Sequence, residues 1–300
     1  MSCAGKAMSP ILSAGYLAII TPSSTNPDIT DPKFAAQYRP NGKAIYFRTV
    51  ATDAFQGPYM VNYLVKARGI KKVYILDDSG AYGVGLADAY EHQCKAKGVE
   101  VLGRDRLDPK AADYATILTK VKSLAPDAVL YGGVGQAGVK LAKQAYEIIP
   151  NVIKAGGDGV FAVDFLKGVG FPAVDGWYAS NASPHKDDTN KETAEFSKRF
   201  TARFGVAPDD YSITCYTGAL AIIQAVKTVV AAGKTVNRDT VRDAIEKVNL
   251  PHTLIGPITF NENGDLKNPV ISVFQIKKDT THPLDDVDAQ YHYAGVAPQV

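Results

Sequence analysis

The chain has 300 residues, 46% apolar and 21% charged, with 33 Lys+Arg against 31 Asp+Glu and a formal net charge of +2. At about 150 residues per domain this predicts two domains that fold without staples, and the composition excludes disordered, collagen-like and coiled-coil chains. Nothing is basic enough for a nucleic-acid partner, and no run approaches the roughly 18 unbroken apolar residues of a membrane-spanning helix.

In chain order, Met1-Ser2-Cys3-Ala4-Gly5-Lys6 does not read as a signal peptide, since it lacks a charged start and an apolar block, so either the chain is cytoplasmic or its natural N-terminus is absent. Leu17 to Ile20 and Ala44 to Arg48 read as strands separated by a Ser/Thr/Pro/Asn loop from Thr21 to Pro32. A regular alternation follows: strand 72–76, helix 83–97 ending at Gly98, strand 99–102, helix 113–124, strand 127–131, helix 137–149 closed by Pro150, and strand 152–155. Strands spaced by helical stretches are βαβ units, and these build a parallel sheet with right-handed crossovers.

After residue 184 two helices come in succession, at 191–204 and 211–232, with Gly205 and Gly233 as stops, and a third at 238–247 with Asn237 as its N-cap. Strands return at Ile255 to Phe260 and Val270 to Ile276, joined by Asn261 to Asp265, whose Asn-Gly is a hairpin-type turn signal. From Asp279 onward no periodicity remains, which predicts a surface tail. Two α/β lobes, with the chain crossing between them more than once, accommodate this order better than one domain.

In open parallel sheets ligands sit beyond the carboxyl ends of the strands, so the informative residues follow each strand. Thr21-Pro22-Ser23-Ser24-Thr25-Asn26-Pro27 carries hydroxyls, backbone N–H groups and no charge. Such a loop can hold a carboxylate through neutral donors, or it can be a turn whose hydroxyls satisfy their own backbone. After Leu76, the segment Asp77 to Gly85 offers glycines for close approach and Tyr82 as a ring, which could equally be a core tyrosine.

After Tyr131, Gly133-Val134-Gly135-Gln136-Ala137-Gly138 matches the dinucleotide-binding pattern G-x-G-x-x-G, with Asp158 twenty residues beyond Gly138 as the ribose acid. Two βα units precede the motif, however, and no later His or Lys supplies an acid/base partner for hydride transfer. Asp158 stands among glycines after an apolar strand, where a carboxylate is partly desolvated and calls for a cation or several donors. An ammonium ligand would serve, or the residue could cap a helix beginning near Phe161.

The five histidines lack metal spacing, no nucleophile elbow, Walker loop or HExxH occurs, and Cys3, Cys94 and Cys215 have no CxxC pattern. Free or buried thiols are expected, and no catalytic residue, metal or cofactor is predicted.

Taken together, Ile19 to Pro27, Phe47-Arg48-Thr49 with Asp53-Ala54-Phe55-Gln56-Gly57-Pro58, and Ala81 to Ala87 resemble the branched-chain amino-acid binding proteins of bacterial ABC transporters. So do Asp113-Tyr114, Pro126 to Gly133, Gly156-Gly157-Asp158-Gly159 and Gly256 to Phe260 with Gly264-Asp265-Leu266, in matching order over nearly the whole chain. The resemblance implies two Rossmann-like α/β lobes joined by a three-crossover hinge, the type I periplasmic binding protein fold, with crossovers near Asp53, Pro184 and Leu266. Lobe 1 would take residues 1–53 and 184–266, and lobe 2 residues 54–183 and 267–300. Periplasmic binding proteins are a standing example of hinge closure, so that mechanism is borrowed from the family.

The resemblance further implies that a signal peptide and about two βα units of the first lobe are missing, leaving that lobe incomplete with an exposed sheet edge and Cys3 as an orphan thiol. It implies a monomeric, periplasmic or extracytoplasmic protein that binds an amino acid or similar small carboxylate and presents it to a permease. Carried across, Ser23 and Thr25, with Ser24 between them, hold the ligand's carboxylate and ammonium from lobe 1, and Asp158 takes the ammonium from lobe 2. Tyr82 closes over the ligand, Tyr211 borders the site, and Asp53 lies at a crossover. Ala4 replaces a usual Ser, Val134 a usual aromatic and Asp158 a frequent Glu, so a branched aliphatic amino acid is one member of a wider expected set. A ligand-sensing domain of the same fold and a dinucleotide enzyme using Gly133 to Gly138 are the alternatives.

Overall fold

The computed structural model describes residues 2–187 and 189–298. In chain order the elements begin α1 (Ser2–Ala14), β1 (Ile19–Thr21), α2 (Ala35–Tyr38), β2 (Tyr46–Arg48), α3 (Asp53–Arg68), β3 (Lys72–Asp77), α4 (Ala81–Ala96), β4 (Glu100–Arg106), α5 (Ala115–Leu124) and β5 (Ala128–Gly132). They continue with α6 (Gly135–Ile148), β6 (Ile153–Gly156), α7 (Val163–Val169), β7 (Tyr178–Asn181), α8 (Lys191–Phe204), α9 (Asp210–Ala231) and α10 (Arg238–Ile245). Last come β8 (Asn249–Leu250), β9 (Ile258–Thr259), β10 (Ser272–Ile276), α11 (Val287–Gln290) and β11 (Tyr291–Val296). The chain divides into two compact units, one running to Thr52 and resuming at Ala182–Val270, the other comprising Asp53–Asn181 and the chain from Ile271. Asp53, expected at the end of the first lobe, therefore opens α3 of the second unit, and Lys267 to Val270 stay with the first.

The second unit is built on a seven-stranded sheet in the order β11-β10-β7-β6-β5-β3-β4. The five strands from β3 to β7 pair in parallel, as βαβ connections require, while β10 and β11 add antiparallel. Strand order reverses at β3, whose successor β4 lies on one side and β5 on the other, so the loops after β3 and β5 flank a switch point. A core that includes Leu118, Val129, Leu141, Phe165, Leu166 and Trp177 binds α5, α6 and α7 to the sheet.

The first unit contains a parallel β1–β2 pair, in register Ile19 to Tyr46, and an antiparallel β8–β9 pair. Phe47, Ile213, Ala221, Ala225, Ile245, Ile255 and Phe260 form its main core. Helix α9 is long and apolar enough to cross a membrane by length and composition, yet Ile213, Thr214, Thr217, Gly218, Ala221, Ala225 and Val229 are buried within the unit. Met8, Ile11 and Leu17 are exposed, as are Tyr216, Ile222, Ile223 and Val230 of α9.

Local signals mark several boundaries. Helix α8 spans Lys191–Phe204 and stops at Gly205, whose φ of 74° suits glycine, and Asn237 caps α10 by accepting from the Thr240 N–H. Three expectations need correction. The turn at Asn261 to Asp265 does reverse the chain as a hairpin, closing an antiparallel bridge between Phe260 and Leu266, but it does not pair the two expected strands, because β9 pairs with β8 in the first unit and β10 belongs to the second unit's sheet. The region after Asp279 is no surface tail: β11 forms the sheet edge, and the Tyr291 ring is buried against Phe161 with its hydroxyl bonded to Val160 and Ala162; Gln299 and Val300 lie outside the described residues. Third, Asp158 caps no helix, since it opens a 3-10 turn and α7 begins only at Val163, after Ala162.

Elements α1, α3 and β7 went unpredicted. Buried positions of α1 are Ser2, Gly5, Ser9 and Ser13, which carry no apolar period. Helix α3 is buried on most sides, including Gly57 and Pro58, so it reads as a turn rather than an amphipathic helix. Strand β7 ends in Ser180-Asn181 and is buried by its neighbours on both sides.

Candidate functional site

In the first unit, the loop after β1 starts as a self-satisfying turn. The Thr21 hydroxyl oxygen accepts from the Ser23 N–H at 3.4 Å and the Ser24 N–H at 3.1 Å, so these amides are engaged by their own loop. Asn26 caps the following 3-10 turn through the Asp28 N–H. Thr25 differs, because its side chain is buried and its hydroxyl oxygen has no hydrogen-bond partner. A buried hydroxyl left unsatisfied costs about 1–3 kcal/mol, which a ligand oxygen would recover.

The loop is held from beneath by Arg48, a residue that sequence reasoning quoted but gave no role. At the end of β2 its fully buried guanidinium donates to the Ser24 carbonyl at 2.6 Å, the Asn26 carbonyl at 2.9 Å, the Thr30 hydroxyl at 2.8 Å and the Asp265 carboxylate at 2.8 Å. A planar fork can satisfy several acceptors at once where a lysine could not. Gly264 completes the clasp: its carbonyl accepts from the Arg48 N–H, and at φ +98° any Cβ would strike the Tyr46 carbonyl. Tyr211 lies in the first turn of α9 in the same unit and lines, with Pro22, Phe196, Phe200 and Tyr216, a groove of about 1010 Å³. Ser23, Ser24 and Thr25 are not part of that lining.

In the second unit, the residues after β3, β5 and β6 converge. A Cβ on Gly159 would strike the Gly133 carbonyl, the Val134 side chain and the Tyr82 ring, so three strand-end loops meet where only glycine fits. Tyr82, from the first turn of α4, accepts from the Gly159 N–H at 3.1 Å, and its hydroxyl lies in the field of Asp158. Val134, half exposed, is the N-cap of α6.

The centre of this half-site is Gln56, which sequence reasoning missed as a functional residue. Its Nε2 donates to Asp53 Oδ1 at 2.9 Å and to Asp158 Oδ1 at 3.1 Å, and its Oε1 accepts from the Asp158 N–H at 2.9 Å and the Ser180 hydroxyl at 2.9 Å. One carboxamide thus uses both protons and both lone pairs. The available signal was the i, i+3 spacing of Asp53 and Gln56, which puts both on one face of a helix. Asp53, Gln56 and Asp158 are all buried. The two carboxylate oxygens on Nε2 lie within about 6 Å of each other, and two unit charges at that distance repel by about 3 kcal/mol at an effective dielectric of 20.

This negative field is felt nearby. Burial first, then Asp158 and Asp53, hold the Tyr82 hydroxyl well above the usual tyrosine range, and Tyr90, buried without a hydrogen-bond partner on its hydroxyl, is raised by burial and the same two acids. A cation is the species that such a place stabilises.

The dinucleotide pattern has other employment. Asp78, after β3, accepts from the Val134 N–H at 2.9 Å and the Gly80 N–H at 2.9 Å, so an internal carboxylate occupies the anion position at the start of α6. Gly133 and Gly138 pack against Tyr131, Gly135 faces open space, and Asp158 is bound by Gln56 rather than standing as a ribose acid.

Loops with buried polar side chains at the carboxyl ends of parallel strands, in a two-unit α/β chain, are where such folds hold small molecules. The sequence profile of the periplasmic binding proteins matches residues 2–281, and the chain belongs to that family. It is 28% identical over 268 residues to the Leu/Ile/Val-binding protein homolog 3 of Brucella melitensis, covering 89% of this chain and 68% of that one. Identity is also 28% to the Leu/Ile/Val-binding protein BraC3 of Rhizobium johnstonii, covering 89% and 69%. Among solved structures, the leucine-binding protein LivK of Thermotoga maritima shares the fold at a TM-score of 0.82 and 23% identity over 99% of this chain and 77% of that one. A solute-binding protein of R. palustris in complex with benzoate shares it at 0.76 and 20% identity, covering 100% and 76%.

Proposed function

We propose that this protein binds a small zwitterion, a branched-chain or related amino acid, as the extracytoplasmic receptor of an ABC importer, and that as a monomer it hands the solute to a permease. The observation that carries this reading is the pair of buried carboxylates, Asp53 and Asp158, bridged by Gln56 at the carboxyl end of the second unit's sheet. Such a pair favours an ammonium group. The buried Thr25 hydroxyl, unpartnered among the described residues of the first unit, is a neutral donor of the kind a carboxylate takes. Relatives named for leucine, isoleucine and valine binding support the solute class, and membership of the periplasmic family supports the location.

Charge-assisted hydrogen bonds contribute about 1.5–3 kcal/mol each in a site that excludes water. Removing the Asp158 charge should therefore weaken an amino acid by tenfold or more. Leucine, isoleucine or valine at a hundred times its dissociation constant should stabilise the wild-type protein by about 2.7 kcal/mol, read as a raised melting temperature. Titration calorimetry should find that Asp158→Asn loses this binding; undiminished leucine affinity in that variant would end the ammonium assignment.

A further inference from the structure

We infer that Gln56 is the positioning residue that makes the acid centre selective for a ligand ammonium group, by holding the Asp53 and Asp158 carboxylates apart and aligned without adding charge of its own. The inference rests on the proposed binding of an amino acid and names a residue that sets its selectivity.

The geometry supports it in three ways. First, the carboxamide is saturated: its two protons go one to each acid, and its oxygen takes the Asp158 N–H and the Ser180 O–H, so its plane cannot rotate without breaking bonds to α3, β7 and the loop after β6. Second, the wall behind it is rigid, since a Cβ on Gly157 would strike Leu86 and the Tyr82 hydroxyl and press on Gln56 Oε1. Third, Tyr90 brings to the same centre a buried hydroxyl that has no hydrogen-bond partner and senses both acids. A carboxamide is the one planar side chain that offers two donors to two anions while remaining neutral. A glutamate in its place would keep the shape and add a third acid, and repulsion from the two acids already there makes the cluster hold one proton more than it does with glutamine. Among the described residues, the ionisable or polar groups facing that proton include the carboxylates of Asp53 and Asp158, the hydroxyls of Tyr82 and Tyr90 from α4, and the Ser180 hydroxyl from β7.

The test compares leucine with 4-methylpentanoate, its amine-free counterpart, by calorimetry on wild-type, Gln56→Glu and Gln56→Met proteins from pH 5 to 8.5, with melting temperatures as a fold control. The wild type should bind leucine with little dependence on pH. In Gln56→Glu the ammonium must displace the shared proton, so leucine affinity should rise with pH, by up to tenfold per pH unit below the proton's pKa, with proton release seen as a buffer-dependent heat. Gln56→Met, which bridges neither acid, should lose at least tenfold in leucine affinity while its affinity for the amine-free acid stays within threefold of wild type. A flat pH profile in Gln56→Glu, or wild-type leucine affinity in Gln56→Met, overturns the inference; if one variant fails to fold, the other decides. Wild-type protein that binds no amino acid overturns the proposed function itself, and this inference with it.

Discussion

Lys154 lies on β6 with its side chain almost wholly buried and its ammonium donating to the Pro150 carbonyl at 2.9 Å. Burial pulls its pKa from an ordinary 10.5 down to about 8. The folded chain therefore sheds this proton near pH 8 while the unfolded chain keeps it to about 10.5, and wherever the unfolded state holds more protons, stability rises with pH. Between pH 8 and pH 10 the wild type should gain about 2 kcal/mol relative to Lys154→Met, less than the full shift because both titrations are only partly complete within that window. Urea denaturation of both proteins at pH 8 and pH 10 measures this, and parallel pH dependence would refute it. Arg48 follows the opposite logic, for its buried charge is met by Asp265 and by three neutral oxygens. Both residues were plain in the sequence, yet nothing in their neighbours showed that one lacks a carboxylate partner while the other clasps a loop.

Among the elements, the pairing of α4 with β5 turns on two facing glycines. A Cβ on Gly83 would strike the Gly132 carbonyl and the Asp78 carboxylate, while one on Gly132 would strike the Gly83 carbonyl. Helix and strand backbones thus touch directly, and a methyl group between them forces the helix away. Gly135, the middle glycine of the dinucleotide pattern, has no neighbour within 4 Å and only a φ of +61° to defend. Gly83→Ala should therefore cost about 2–3 kcal/mol, as overpacking does, and Gly135→Ala about 1 kcal/mol for its left-handed backbone. Chemical denaturation separates the two, and equal costs would contradict the direct backbone contact. Pattern matching weighted these glycines the other way, because spacing along the chain records which residues are small and not what they touch.

At the scale of the whole molecule, Thr25 belongs to one unit and Asp158 to the other, and the proposed function assigns each a different group of the ligand. Their substitution should then discriminate between ligands. Thr25→Val should weaken leucine and 4-methylpentanoate alike, by about five- to tenfold for one lost hydrogen bond, whereas Asp158→Asn should weaken leucine alone. Calorimetry with both ligands tests these assignments, and a Thr25→Val protein with unchanged affinity for both would refute the role proposed for Thr25.

The sequence by itself determined the α/β alternation from Lys72 to Gly156, the limits of α8 and the cap of α10, because periodicity, caps and stop glycines are written within a few neighbouring residues. It also placed Ser23, Thr25, Tyr82 and Asp158 after strands, where parallel sheets expose their loops. Only the tertiary structure decided that β11 completes a sheet, that Asp78 fills the start of α6, and that Gln56 joins Asp53 to an acid 102 positions further on than itself. Those relations depend on which strand lies beside which, and a hydrogen bond between distant segments leaves no period in either of them.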